Sequence, residues 1–406
     1  MARCLMAWEF GSGLGHASRL KSLADGFLRD GHEVAFVLRD VVHAGGLMQG
    51  LPAPVLQAPM WMHKTIGLPT PTVSLSEILL GNGYLKADSL DALVRGWQSA
   101  IDLFSPDVVV ADYAPTAVIA ARTRGVPCAS VGNGFYVPPH ASPLPAFMNW
   151  APIAQGRLAH HEQLLLASIN DVLKRHGAEP MTAACEVLRA DLPLLCTWPE
   201  IDPYRRPQGP GGDVFRGPTS QPAPGGVAAQ WPAGSGAKVF AYLRAQHADS
   251  VLALQALAAR GCRTVCYMPE VAAGQPAPVP SPHIVYAPGP VNLTQALQEC
   301  QLMLAHGGES TLAQALMAGK PVLLLPMQTE QFLTAQGIEG SGLGLNAGSR
   351  PRPLQFEGLL DPLLQPGACS PGLRAFADRH AGFNPQAQSA ELYQAVLTLA
   401  RSSPKA

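Results

Sequence analysis

Between residues 3 and 131, short apolar runs alternate with helix-type periodicity, and no other property of the chain limits its fold as tightly. Residues 3–10, 33–38, 107–111 and 126–131 read as strands, and 16–30, 88–104 and 115–124 as helices. Uninterrupted apolar runs predict strands buried on both faces, which occur where helices cover a parallel sheet. A helical pattern over 155–176 follows, and then 203–236 is dense in Pro and Gly, the composition of an irregular connection. Beyond it the alternation resumes, with strands expected at 237–243, 262–268, 283–286, 301–305 and 321–325. The fold class expected is α/β, as two doubly wound parallel-sheet domains over 1–215 and 216–406.

Length and composition agree with two domains. At 406 residues the chain exceeds an ordinary single domain, and 47% hydrophobic residues are enough for two cores. The 28 basic and 29 acidic residues give a net charge of -1, so no global field draws nucleic acid or an anionic membrane, and neither is expected as a partner. Eight cysteines are scattered. The closest two, Cys262 and Cys266, fall inside an expected strand and read as buried free thiols rather than a zinc knuckle. No apolar run approaches the ~20 residues of a membrane span, and the first residues lack a basic leader pattern, so a cytoplasmic location is expected.

Two strand-to-helix turns carry chemistry. In the first, Leu302–Ala305 reads as a strand, His306-Gly307-Gly308 as a turn, and Ser310 and Thr311 open a helix that Gly319 and Pro321 stop. A helix N-terminus leaves its opening N–H groups unpaired and carries roughly half a positive charge, which suits a diphosphate. The glycines let phosphate oxygens come close. Glu330-Gln331 lies past the next strand's C-terminal end, where open α/β sheets place ligands, and a carboxylate beside an amide can hold sugar hydroxyls. Glu309, adjacent to the turn, is expected to face solvent, away from an anionic ligand.

These residues resemble a known family. Residues 287–345 are similar to the donor signature of inverting nucleotide-sugar glycosyltransferases of the GT-B fold, whose two domains face a central cleft and which include antibiotic, flavonoid and glucuronosyl transferases. His306, Gly308, Thr311, Ala315, Gly319, Pro321, Glu330 and Gln331 stand at matching positions. The resemblance implies His306 on the diphosphate, Glu330 and Gln331 on the sugar, a UDP- or dTDP-sugar as co-substrate, and no cofactor. It also implies that the helical pattern over 386–401 packs back toward the N-terminal domain. Two departures bear on the nucleoside. Gln314 replaces a glutamate that grips the ribose hydroxyls, and Ala287-Pro288-Gly289-Pro290 lacks the usual base-stacking tryptophan, leaving only the adjacent Tyr286. After the strand at 237–243 the family often has Gly-Ser or Gly-Thr touching phosphate; Arg244 stands there instead and could serve as a bidentate donor.

The second turn, Phe10-Gly11-Ser12-Gly13-Leu14-Gly15-His16, ends the first strand and opens a helix. In the resembling family a Gly-His here supplies the catalytic base, which deprotonates an acceptor hydroxyl while an acid steadies its other ring nitrogen. Asp112, at the same sheet edge, is the candidate acid. No Asp-x-Asp occurs in the chain, so no metal is expected. Trp61, Phe135 and Tyr136 are candidates for the wall of an apolar acceptor pocket, although such clusters are more often core.

Each feature has a plainer reading. His306 could be a satisfied core histidine, Asp112 a helix cap, and the adjacent His160 and His161 solvent-exposed residues. Three rival functions compete. Gly308-Glu309-Ser310-Thr311 mimics the nucleophile elbow of an α/β-hydrolase with Ser310 attacking an ester, but Leu312 occupies a position that needs a small residue. Gly11-x-Gly13-x-Gly15 approximates a nicotinamide fingerprint with the wrong spacing. A non-catalytic sugar-nucleotide-binding partner of another transferase is the third.

Overall fold

The structure, a computed structural model of the whole chain, describes residues 1–148, 150, 152–219, 226–365 and 367–402. The chain divides into two compact units: Met1–Pro199 with Tyr204–Thr219 and Pro385–Ala406, and Glu200–Pro203 with Ser220–Asn384.

The first unit holds six parallel strands: β1 (Arg3–Trp8), β2 (Glu33–Leu38), β3 (Val55–Gln57), β4 (Val108–Asp112), β5 (Cys128–Gly132) and β6 (Leu192–Leu195). Their order is β3-β2-β1-β4-β5-β6. β1 and β4 are buried along almost their whole length, as double-sided helix cover requires. From β1 the strand order runs one way through β2 and β3 and the other way through β4, β5 and β6. The reversal opens a crevice at the C-terminal ends of β1 and β4, where open sheets of this kind bind ligands.

The second unit repeats the scheme with β7 (Lys238–Tyr242), β8 (Arg263–Tyr267), β9 (Ile284–Tyr286), β10 (Leu302–Ala305), β11 (Val322–Leu324) and β12 (Gly344–Asn346), in the order β12-β11-β10-β7-β8-β9. Here the reversal falls between β7 and β10. Leu302, Leu304, Val239, Ala241 and Cys266 point into one core with Leu254 and Leu257 of the Ala248–Ala259 helix and Leu360 of the Phe356–Leu364 helix. The alternate residues face the opposite side of the sheet.

The expected α/β alternation is present, and most strands lie within two residues of their expected ends. β3, β6 and β12 were not expected. All three are short edge strands, and β6 contains Pro193, which an edge tolerates because its nitrogen owes the ladder no hydrogen bond. The helix expected at 386–401 spans Pro385–Ser402 and belongs to the first unit, where Leu392, Tyr393, Val396 and Leu397 enter the core. Tyr393 stands edge-on to Phe27 at 4.9 Å and donates its hydroxyl to Asp30 at 2.6 Å. Among the described residues no helix is long and apolar enough to cross a membrane.

Candidate functional site

At the reversal point of the first sheet, the turn after β1 is shaped by its own polar groups. The Trp8 indole N–H donates to the Phe10 carbonyl at 2.7 Å, and the Phe10 N–H to the Tyr113 carbonyl at 2.9 Å, which ties the turns after β1 and β4 together. Gly11 and Gly13 take φ of +80° and +91°. Gly11 also supplies space, since a Cβ there would strike Nε2 of His16.

His16 sits in the first turn of the Gly15–Arg29 helix, 4% exposed, with Nδ1 2.7 Å from Oδ1 of the fully buried Asp112. Its ring is stacked on Trp8 at 5.4 Å and 16° and touches Tyr136 at 4.8 Å. With Nδ1–H donated to a carboxylate, the lone pair resides on Nε2, and the buried carboxylate stabilises the imidazolium that protonation would form. The structure thus brings His16 and Asp112 into contact, and Asp112 does not cap the Pro115–Thr123 helix, which has no side-chain cap.

Sequence reasoning missed a third member. Arg19, one helical turn beyond His16, is 9% exposed; its Nη1 donates to Oδ2 of Asp112 at 2.6 Å and its Nε to Oγ1 of Thr219 at 2.9 Å. The i, i+3 spacing from His16 was the available signal. A further clamp holds Tyr136 in place. Arg206 donates to the carbonyls of Gly134 and Val137 at 3.1 and 3.0 Å, Arg189 donates to that of Pro138 at 2.7 Å, and both arginines meet Asp213.

The remaining acceptor candidates divide. Tyr136 lies against His16, whereas Phe135 is 5% exposed and packed between Tyr136 and Phe147, a core position. Trp61 is half-buried beside Gly83 and His63. His161 departs from the expected exposure: it is 7% exposed, with Nδ1 2.7 Å from Glu77, a buried carboxylate that also pairs with Arg157. Burial raises the Glu77 pKa, but its hydrogen bonds to Arg157, Val73 and His161 outweigh that and hold it below the ordinary value. Nearby, Glu9 is 1% exposed and accepts the Thr116 N–H at 2.9 Å; burial lifts its pKa to about 8 despite the Thr116 bonds.

At the reversal point of the second sheet, the turn after β10 leads into the Glu309–Met317 helix, which has no side-chain cap. Its first intrahelical bond runs from Leu312 N–H to Gly308 O, so the amides of Ser310 and Thr311 precede the ladder. Gly307 takes φ +98°, and a Cβ there would lie 3.3 Å from the Gln331 carbonyl oxygen; around Gly308 the space is open. The structure therefore gathers Gly307, Gly308, Ser310, Thr311 and the start of the Thr329–Gly340 helix, with Glu330 and Gln331 in its first turn. Gln331 Oε1 accepts the Met327 N–H at 2.9 Å, and Gln314 Nε2 reaches back to the Ser310 carbonyl at 3.3 Å.

Three residues behave otherwise than the sequence suggested. The His306 ring lies 2.7 Å from the Leu325 carbonyl through Nδ1 and accepts the Arg244 N–H at 2.8 Å through Nε2. Burial lowers its pKa, favouring the neutral ring, so it pins the turn after β7 to that after β10 and offers no free nitrogen to a phosphate or to Ser310 as a base. Arg244 directs its guanidinium to Glu270 at 3.2 Å and is 40% exposed. Glu309 is half-buried with both carboxylate oxygens screened from solvent, contrary to the expected exposure; at the first helical position the macrodipole offsets part of its desolvation.

No protein-family profile matches the chain. In sequence it is 24% identical to a PGL/p-HBAD biosynthesis glycosyltransferase of Mycobacterium tuberculosis, over 68% of each chain. It is also 24% identical to a PGL/p-HBAD biosynthesis rhamnosyltransferase of Mycobacterium bovis, over 60% of this chain and 57% of that protein. Among solved structures, the calicheamicin glycosyltransferase CalG4 matches with a TM-score of 0.67 and 18% identity, covering 99% of both chains. The spinosyn rhamnosyltransferase SpnG, solved with thymidine diphosphate, matches at 0.60 and 17%, covering 96% of this chain and 99% of that one. The chain thus shares its fold with these solved glycosyltransferases and is similar in sequence, at 24% identity, to curated glycosyltransferases.

Proposed function

We propose that the protein is an inverting glycosyltransferase that moves a sugar from a nucleoside-diphosphate sugar to a hydroxyl of an apolar small molecule. The observation that carries this reading is the buried His16–Asp112 pair, 2.7 Å apart, with Nε2 left as the basic nitrogen. The acceptor O–H gives its proton to Nε2, the oxygen bonds to the anomeric carbon, and the bond from that carbon to the diphosphate oxygen breaks. One displacement, without a protein nucleophile, inverts the configuration. The departing diphosphate carries new negative charge, which the amides of Ser310 and Thr311 and the open backbone at Gly308 are suited to stabilise. Glu330, half-buried in the next helix's first turn, is assigned to the sugar hydroxyls, and Gln331 shares that task if its amide releases Met327.

The domain assignment follows the same division, with acceptor chemistry on 1–215 and donor binding on 216–406, of which the Pro385–Ser402 helix packs with the first unit. Thymidine diphosphate in the SpnG structure supports a dTDP- or UDP-sugar. The absence of an Asp-x-Asp motif from the sequence supports transfer without a metal. The apolar acceptor rests on Tyr136 and Trp61 alone.

The test is acceptor-dependent nucleotide release by wild type and His16→Ala, with and without EDTA. General-base loss should lower turnover by about 10²–10⁴-fold, while thermal-shift binding of the nucleotide is kept and EDTA changes nothing. Undiminished turnover in His16→Ala overturns the base assignment. Nucleotide binding without turnover by wild type across an acceptor panel favours a non-catalytic binding partner instead.

A further inference from the structure

Three tyrosines end neighbouring strands of the second sheet: Tyr242 on β7, Tyr267 on β8 and Tyr286 on β9. They do not share a face. Tyr286 pairs in register with Cys266, packs against the leucine-rich core, and has its hydroxyl bonded to both backbone groups of Val279, at 3.3 and 3.2 Å. It is committed to structure, although it is the aromatic that the sequence placed beside the expected base site.

Tyr242 and Tyr267 are register partners on the opposite face, with ring centroids 5.2 Å apart at 30°. That is the face of the Leu293–Glu299 and Glu309–Met317 helices, which contribute nothing to the leucine-rich core and pack on β7 and β11. Tyr242 also pairs with Ala305, the residue before His306-Gly307-Gly308. Outward from that turn the strands run β10, β7, β8, so at about 4.8 Å per step Tyr267 stands roughly 10 Å to its side. A ribose carrying two phosphates bridges such a gap. Both rings are half-buried, and among the described residues neither hydroxyl has a hydrogen-bond partner. Burial raises both phenol pKa values, so both remain donors at neutral pH.

We propose that Tyr267, backed by Tyr242, is the platform on which the donor's nucleobase stacks. The proposal rests on the donor reading of the Gly307-Gly308 turn and adds a subsite for the base beside it. A π-face accepts any base, so uracil and thymine should be held with similar strength; base choice would then be set elsewhere.

The experiment is titration calorimetry of the full chain with dTDP, UDP and inorganic pyrophosphate, for wild type, Tyr267→Phe, Tyr267→Leu and Tyr267→Ala. Base–aromatic stacking of the usual strength predicts nucleotide affinity weakened on the order of tenfold or more in the Leu and Ala variants and little changed in Phe. Pyrophosphate binding should be the same in all four. Nucleotide affinity retained by Tyr267→Leu and Tyr267→Ala overturns the platform alone, as does a parallel loss of pyrophosphate, which would mean a distorted turn. A wild-type chain that binds neither nucleotide overturns the donor reading and the platform with it.

Discussion

Arg19 ties the proposed catalytic pair to the rest of the first unit, and its removal can be followed in two independent readouts. Its Nη1 is 2.6 Å from a carboxylate with no exposure, and its Nε is 2.9 Å from Thr219. Arg19→Met keeps the aliphatic packing but leaves Asp112, among the described residues, with His16 as its remaining charge partner. Stranding one member of a buried pair costs about 3–5 kcal/mol. For a unit of this size each kcal/mol moves Tm by roughly 2–4 °C, so calorimetry should show melting on the order of 10 °C lower. Asp112→Asn should cost a comparable amount, because the new amide must turn its NH2 group either toward the guanidinium or toward the imidazole N–H, donor against donor. The double variant strands no charge, and its loss should fall short of the sum by about 1 kcal/mol or more. Catalysis gives the second sign. Without Arg19 the carboxylate loses one of the two donors that fix it beside Nδ1 of His16, so turnover should fall in Arg19→Met and further in Asp112→Asn, which removes the acceptor itself. Strictly additive melting losses with turnover unchanged in both variants would refute the linkage.

Two further outcomes follow from the same unit. Gly11→Ala forces a side chain to φ +80°, costing about 1–2 kcal/mol, and drives a methyl into Nε2 of His16, so turnover should fall on the order of a hundredfold or more with nucleotide binding intact. Turnover within a few-fold of wild type would show that the imidazole does not rest over that glycine. Glu9 has its pKa raised from 4.5 to about 8 by burial, so the folded state binds a proton that the unfolded state releases. Its contribution is complete below pH 4.5 and is lost as the pH climbs through about 8. Urea midpoints of Glu9→Gln should therefore decline less than those of wild type over that window, and parallel curves would count against a protonated Glu9.

Both sheets were legible because buried parallel strands write themselves as unbroken apolar runs, as in 108–111. The edge strands β3, β6 and β12 were not, since three or four residues with one neighbour carry too little pattern to separate from a loop. Site residues followed a similar rule. His16 and the Gly307-Gly308 turn announce themselves through spacing and glycine chemistry, but hydrogen-bond partners are set by tertiary approach. Nothing in the sequence says that His306 faces a carbonyl on one side and an amide on the other, or that Arg19 reaches the carboxylate of Asp112. Tyr242 and Tyr267 were invisible for a different reason: within KVFAY and RTVCY an aromatic reads as core, and only the register puts the two rings on one face beside the turn.

The Pro385–Ser402 helix lays Leu392, Tyr393, Val396 and Leu397 against strands whose own residues all precede position 196. During translation those strands emerge long before the segment that finishes their hydrophobic layer. The first unit must therefore wait, with an apolar groove beside Phe27 unfilled, until residue 402 has cleared the ribosome, and its maturation is coupled to synthesis of the second unit that intervenes rather than to its own strands alone.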